Sequence, residues 1–433
     1  MDCPVRRLAY DSQSDSGHPW KEVASVPPSQ PPGTDRTEAN TSPLSVLPED
    51  ADSALLVGRI WDMETSGPRV VAVQGDDIFD LQPLAGTVSE LLERPALVAD
   101  VRAAMTAKRW TASEVIEASL QRDSTRPHLL APVDLQVIKA CGVTFVDSMI
   151  ERVIEERCGG DVSRAQQTRE LVAKALGGSI AAIRPGSPEA AEAKKVLIQE
   201  GLWSQYLEVG IGPDPEVFTK APVLSSVGLG AQVGIPSFSH WNNPEPELVL
   251  VATSEGSVVG AMLGNDVNLR DVEGRSALLL GKAKDNNASS ALGPFIRLFD
   301  GDFSLNTLRD EEILLRVEGE DGYVLEGRNS VARISRPFEE LVAATRGRHH
   351  QYPDGFALYT GTLFAPTQDR DEPGQGFTHH AGDVVTISSR HLGSLINQVG
   401  RTEELPEWSF GLRQLFDYLH RQRQLAGSAP AKA

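Results

Sequence analysis

Two glutamates one residue apart, Glu245 and Glu247, head an apolar run in Asn242-Asn-Pro-Glu-Pro-Glu-Leu-Val-Leu-Val, and Asp266 follows in Gly264-Asn-Asp. On a strand, side chains at i and i+2 share a face and are separated by roughly 6–7 Å along the chain. Two flexible glutamates at that spacing can converge their oxygens on one small cation. An aspartate from a neighbouring strand would complete one face of an octahedron and leave positions for water or substrate. All-oxygen ligation suits Mg²⁺, Mn²⁺ or Ca²⁺ rather than zinc. The same pair also fits a solvated polar face at a strand start, the commoner setting for charged residues.

The elements that must position these residues fall into distinct stretches. Residues 1–50 are rich in Pro, Ser, Asp and Gly, a composition that buries too little apolar surface to order itself, so a disordered tail is expected. Short strands at Ala54–Trp61, Arg69–Val73 and Asp77–Leu81, then helical periodicity through Val88–Leu92, Ala96–Met105 and Ala112–Gln121, predict a small N-terminal α/β domain over 51–127. A strand at Val137–Phe145 opens the main domain, 128–425. Three helical stretches follow, Asp147–Arg157, Ser163–Leu176 and Pro188–Glu200. This excursion, about 147–200, has the position of a lid or of a packing layer. Beyond it the pattern is mostly β through Val399, with a closing helix at Phe410–Gln424 and a flexible tail at 426–433.

Composition narrows the class of partner. The 433 residues allow two or three domains with their own core. A hydrophobic content of 40% with 23% charged residues is ordinary for a globular protein. A formal charge of −19 with no basic run argues against nucleic acid. An anionic small molecule would need a local positive site, which a metal with one or two Lys or Arg supplies. The three cysteines form no CxxC, and no apolar run reaches the ~18–20 residues of a membrane span. A cytoplasmic protein that binds no membrane is expected. Gly228-Leu-Gly-Ala-Gln-Val-Gly234 has the wrong spacing for a dinucleotide fingerprint.

The carboxylates belong to a longer ordered series. Glu245-x-Glu247 is followed by Asn265-Asp266-x-x-x-Arg270-Asp271 and by Lys284 before a turn. Phe218-Thr-Lys220 precedes the series, and Thr360-Gly-Thr362 and Gly382-Asp-Val follow it. The series, spanning roughly 131–400, resembles the fumarylacetoacetate hydrolase superfamily. Gly142-Val-Thr-Phe145, His240-Trp-Asn-Asn-Pro-Glu-Pro-Glu247, Lys284-Asp-Asn-Asn and His350-Gln-Tyr-Pro-Asp-Gly-Phe look like its branch of 2-keto-3-deoxy-sugar-acid dehydratases.

That resemblance implies an α+β fold, a mixed β-sandwich roll with a helical lid, assembled as a homodimer or homotetramer. It also implies a Mg²⁺ site at Glu245, Glu247 and Asp266 that chelates the C1 carboxylate and C2 oxygen of a 2-keto-3-deoxy pentonate. Lys284 would be the base at C3 and Glu151 the acid for the departing C4 hydroxyl. Ser148, Lys220, Arg270, Thr362 and His350 would contact substrate, although Lys220 also reads as a surface strand lysine, Arg270 as a brace for a neighbouring carboxylate and Thr362 as a turn cap. Ser148 stands where the hydrolases keep a water-activating histidine, which favours elimination, to 2,5-dioxopentanoate in pentose catabolism, over an acylpyruvate-type hydrolase or oxaloacetate-type decarboxylase. A non-catalytic 2-keto acid binder is the remaining alternative.

Overall fold

A computed structural model describes residues 46–168, 183–199, 201, 203–364 and 366–428. Two sheets face each other across one large apolar core. The first has 11 strands. Its middle runs Leu56–Asp62, Ser290–Leu298, Val258–Asp266, Pro246–Ala252, Phe356–Tyr359, Val137–Cys141 and Val217–Ala221. The second has five, in the order Val324–Ser330, Glu312–Glu318, Val384–Ser389, Gly393–Arg401 and Gln232–Ile235. Both sheets are mostly antiparallel, with parallel pairs between Phe356–Tyr359 and Val137–Cys141 and between Gly393–Arg401 and Gln232–Ile235.

The strand Pro246–Ala252 is buried throughout, which is why its apolar run shows no alternation with polar residues. Leu248, Leu250 and Ala252 enter the core between the sheets, with Leu315, Val317, Val385 and Ile387. Val249 and Val251 face the other way, against Val88, Leu91, Leu92 and Val101. Each such side chain contributes about 1.5–3 kcal/mol on burial. The carboxylates at the head of the strand are thereby fixed in an apolar wall.

The segment expected as a separate domain at 51–127 shares this architecture. Leu56 and Val57 pair with Arg297 and Ile296, so the N-terminal strands extend the central sheet, and its helices cover the back of Pro246–Ala252. No boundary near residue 127 separates two cores. The expected tail of 1–50 is also corrected at its end. Val46 and Leu47 are buried beside Leu56, Leu129 and Phe295, and Asp50 pairs with Arg297 at 2.5 Å. Residues 1–45 lie outside the described residues, as do 429–433 of the expected C-terminal tail. The last helix runs Leu412–Ser428.

The excursion after Val137–Cys141 begins with the helix Val146–Cys158, closed by Gly159 in the left-handed conformation at φ 62°. Met149, Val153, Ile154 and Cys158 on this helix pack on Tyr206, Leu207, Ile211 and Trp241. The helix Pro188–Gln199 also appears. The helix expected over Ser163–Leu176 lies largely outside the described residues; the described part shows the 3₁₀ turn Val162–Arg164 running into helical residues 165–168. A further helix, Gln205–Ile211, is capped by Ser204 and carries no long periodic run to announce it.

Candidate metal centre

Glu247 lies opposite Gly264 in the antiparallel ladder, and Glu245 opposite Asp266, whose N–H donates to the Glu245 carbonyl at 3.0 Å. One oxygen from each of Glu245, Glu247 and Asp266 comes within 4.8 Å of the others, and all three residues are buried. This is the cluster the spacing predicted.

Three cations surround it. Lys284 Nζ donates to Glu245 Oε2 at 2.5 Å and to Asp266 Oδ2 at 3.1 Å. Lys220 Nζ pairs with Asp266 Oδ1 at 2.7 Å, and its remaining donors go to the carbonyls of Lys284 (2.5 Å) and Val267 (3.1 Å). Arg152, on the lid helix, donates to Glu245 and pairs with Glu155 at 2.6 Å.

The carboxylates do not respond alike to burial. Burial, then the charge of Asp266, pushes the Glu247 carboxyl well above the usual carboxylate range. Burial pushes Asp266 the same way, but Lys220 and Lys284 outweigh it and hold Asp266 low. Burial lowers Lys220 against the opposing pull of Asp266. A buried carboxyl driven towards its neutral form beside two other carboxylates would be held ionised by a nearby cation. The donor set is all oxygen, and the Lys284 ammonium donates to two of its three members, Glu245 and Asp266. The residues therefore fit a divalent cation of the Mg²⁺, Mn²⁺ or Ca²⁺ type.

The Thr360-Gly-Thr362 turn positions Glu247. The Gly361 N–H donates to Glu247 Oε2 at 2.7 Å. Gly361 has φ +104°, and a Cβ there would run into Thr144, so only glycine fits. Thr362 caps this turn through Phe364 O at 3.3 Å, and its carbonyl accepts the Ser148 hydroxyl at 2.6 Å. Ser148 thus pins the lid helix to the turn. Arg270 braces the lid from below, donating to Glu155 at 2.6 Å and to Glu151 at 3.5 Å.

His350 is not brought to the cluster. It is exposed in the Gly347–His350 turn, its ring 4.5 Å from that of Tyr352. That turn precedes Phe356–Tyr359, whereas Thr360–Thr362 follows it, so His350 belongs to the opposite end of the strand. The His350-Gln-Tyr-Pro-Asp-Gly-Phe stretch builds the strand entry instead.

Two residues of the neighbourhood were not among those expected. Arg152 sits in Ile150-Glu-Arg-Val-Ile-Glu-Glu-Arg, which reads as a solvated helix face. Its spacing of i+4 from Ser148 and i−3 from Glu155 is the signal that could have revealed it. Glu216 precedes the strand of Lys220, and Gly142 leaves the room its carboxyl needs, since a Cβ there would collide with it. Burial and the nearby charge of Glu273 push Glu216 up to about 7, while Arg152 and Lys284 pull it down.

Residues 204–400 match the family model described as fumarylacetoacetate (FAA) hydrolase C-terminal. These residues form a fumarylacetoacetate hydrolase-family domain. Over 191 residues the chain is 30% identical to 2-dehydro-3-deoxy-D-arabinonate dehydratase of Saccharolobus solfataricus, covering 44% of this chain and 60% of that protein. Over 194 residues it is 30% identical to the probable 2-keto-3-deoxyxylonate dehydratase of Haloferax volcanii, covering 45% and 63%. The chain thus spans less than two thirds of the length of either relative.

Among solved structures of this family fold, the apo form of 2-keto-3-deoxy-D-arabinonate dehydratase superimposes with a TM-score of 0.56 at 23% identity, over 80% of this chain and 99% of that one. The same enzyme complexed with magnesium and 2,5-dioxopentanoate gives 0.53 at 23% identity, with the same coverage. At this identity the likeness is one of fold. Among the described residues, no helix is long and apolar enough to cross a membrane.

Proposed function

We propose that this chain is a divalent-metal-dependent dehydratase that converts 2-keto-3-deoxy-D-xylonate, equivalently the D-arabinonate, to 2,5-dioxopentanoate. The observation that carries this reading is the buried Glu245, Glu247 and Asp266 cluster, bridged by Lys284 under a lid that presents Ser148 rather than a histidine. The names of the two 30% identical relatives support it.

A divalent cation held by the three carboxylates would supply positive charge for the C1 carboxylate and the C2 oxygen of the bound acid. Lys284, as the neutral amine, takes the C3 proton onto Nζ, and the electrons pass first to the C2 oxygen as an enolate. They return to expel hydroxide from C4, which leaves as water after taking a proton from Glu216. A carboxyl held near 7 is suited to give up a proton at neutral pH. Glu151 is occupied with Arg270 and positions the lid. The resulting enone tautomerises to the 5-aldehyde. Ser148, committed to the Thr362 carbonyl, stands where a water-activating histidine would serve C–C hydrolysis and activates no water.

The test is incubation of the Mg²⁺-loaded protein with 2-keto-3-deoxy-D-xylonate, followed by mass spectrometry of the products. Loss of water and appearance of the aldehyde are expected. Carboxylate fragments, or release of CO₂, would replace this reading with a hydrolase or a decarboxylase.

A further inference from the structure

A second, short ladder follows the one that leads to the cluster. Glu247 pairs with Gly264 and Pro246 with Asn265, and past Glu245 and Asp266 a separate two-stranded ladder pairs Asn243 with Asn268 and Asn242 with Leu269 at the same offset. Alternation along the strand places Asn243, Glu245 and Glu247 on one face, with Asn268 and Asp266 opposite them. The lid covers that face. Trp241, two residues before Asn243, packs with Met149, Val153 and Ile154, and Arg152 of the same helix reaches Glu245.

Asn243 and Asn268 are fully buried, yet neither is fully used. Asn268 has no partner for Nδ2 or for Oδ1 among the described residues, and Asn243 has none for Oδ1. The Asn243 Nδ2 donates to the Pro244 carbonyl at 2.8 Å, which fixes the orientation of its amide. Asn329, another buried asparagine, is fully engaged: Nδ2 donates to Leu363 O at 2.5 Å, and Oδ1 accepts from the Ser330 N–H at 2.9 Å. Buried polar atoms are normally paired, so the open atoms at Asn243 and Asn268 call for a partner.

The open set comprises one amide NH₂ and two carbonyl oxygens. A carboxylate would be repelled by the oxygens, and a cation by the NH₂. A hydroxyl, which donates and accepts, satisfies both. We propose that Asn268, with Asn243, forms a subsite that holds the terminal hydroxyl of the sugar acid, the one that does not leave, one strand repeat away from the carboxylate cluster. An amide cannot donate the proton that the departing C4 hydroxyl needs, so the terminal C5 hydroxyl is the group assigned. This assignment rests on the 2-keto acid reading of the same site.

The test uses two acids that cannot eliminate water, 5-hydroxy-2-oxopentanoate and 2-oxopentanoate, titrated calorimetrically into the Mg²⁺-loaded full chain. The wild type should bind the hydroxylated acid about tenfold more tightly, the scale of one well-made buried hydrogen bond. In Asn268→Ala that preference should vanish, with 2-oxopentanoate binding unchanged within about twofold, since only the hydroxyl's partner has gone. A wild type without preference, or a variant that weakens both acids equally, would overturn the subsite and leave the functional reading intact. A wild type that binds neither acid would overturn the functional reading and the subsite together. Should Asn268→Ala fail to melt cooperatively, Asn243→Ala carries the same comparison.

Discussion

Two dense ionic clusters among the described residues differ in what burial does to them. Beside the N-terminal strands, Asp80 lies between Arg69 at 2.7 Å and Arg109 at 2.5 Å, with Asp62 3.1 Å from Arg109. Burial opposes ionisation of Asp80, but Arg69 and the Gln82 N–H outweigh it and hold the carboxyl low. Arg69 is held above its ordinary value by Asp80 in spite of its own burial. In the carboxylate cluster under the lid, Glu247 is driven towards neutrality and Lys220 is lowered. A cluster that serves the fold moves its members towards their charged forms, and a cluster that awaits a ligand moves some of them away. In the second cluster burial is the largest cause of both shifts, and the partners do not offset it.

Substitutions should separate the two clusters sharply. Glu247→Gln should cost at least about a thousandfold in turnover, the scale of losing a group that organises charge in the transition state. Because the fold already favours the neutral carboxyl, its metal-free melting temperature should not fall. A melting temperature lowered together with near-normal turnover would assign Glu247 to the fold. Arg152→Met takes one of two cationic partners from each of Glu155 and Glu245, which keep Arg270 and Lys284, and should cost about 1.5–3 kcal/mol in a denaturant titration. An unchanged midpoint would mean that the lid is not held by these charges.

Glu216 gives a pH-resolved test. Its carboxyl is raised in the fold to about 7, so its contribution to stability is fully present below the ordinary carboxylate value and is lost as pH rises through about 7. Glu216→Gln should therefore melt higher than the wild type at pH 8 and close to it at pH 4. The fall in turnover above about pH 7 should also disappear from what activity the variant keeps. An alkaline limb that persists in the variant belongs to another group. The smallest effect is expected in the contrasting cluster: Asp80→Asn should cost about 1 kcal/mol after solvent screening and leave turnover untouched.

The carboxylates were legible in the sequence because a strand converts i and i+2 into one face, and the apolar run after them announced a buried wall. Ser148, Lys220, Arg270 and Thr362 were legible as members of the same neighbourhood, but not in their contacts. Their partners, Thr362 O, Asp266, Glu155 and Phe364 O, depend on how the lid lies over the sheet. Arg152 resembled any solvated helix charge because its partner Glu245 is 93 residues away. His350 lay near strand residues in sequence, yet the short strand Phe356–Tyr359 separates it from Thr360–Thr362, and His350 is at the opposite end of that strand. The N-terminal boundary was misplaced for a similar reason. Local pattern described the strands at 56–80 correctly, but their pairing with Ser290–Leu298 is a long-range choice.

The central claim is that Glu245, Glu247 and Asp266 hold a divalent cation. Thermal melts of wild type and Glu247→Gln, with and without Mg²⁺, test it most directly, since a ligand that binds only the folded state raises the melting temperature. A clear Mg²⁺-dependent rise in the wild type, absent from Glu247→Gln, is the predicted result. An equal rise in both proteins, or none in the wild type with Mg²⁺, Mn²⁺ or Ca²⁺, would contradict the account.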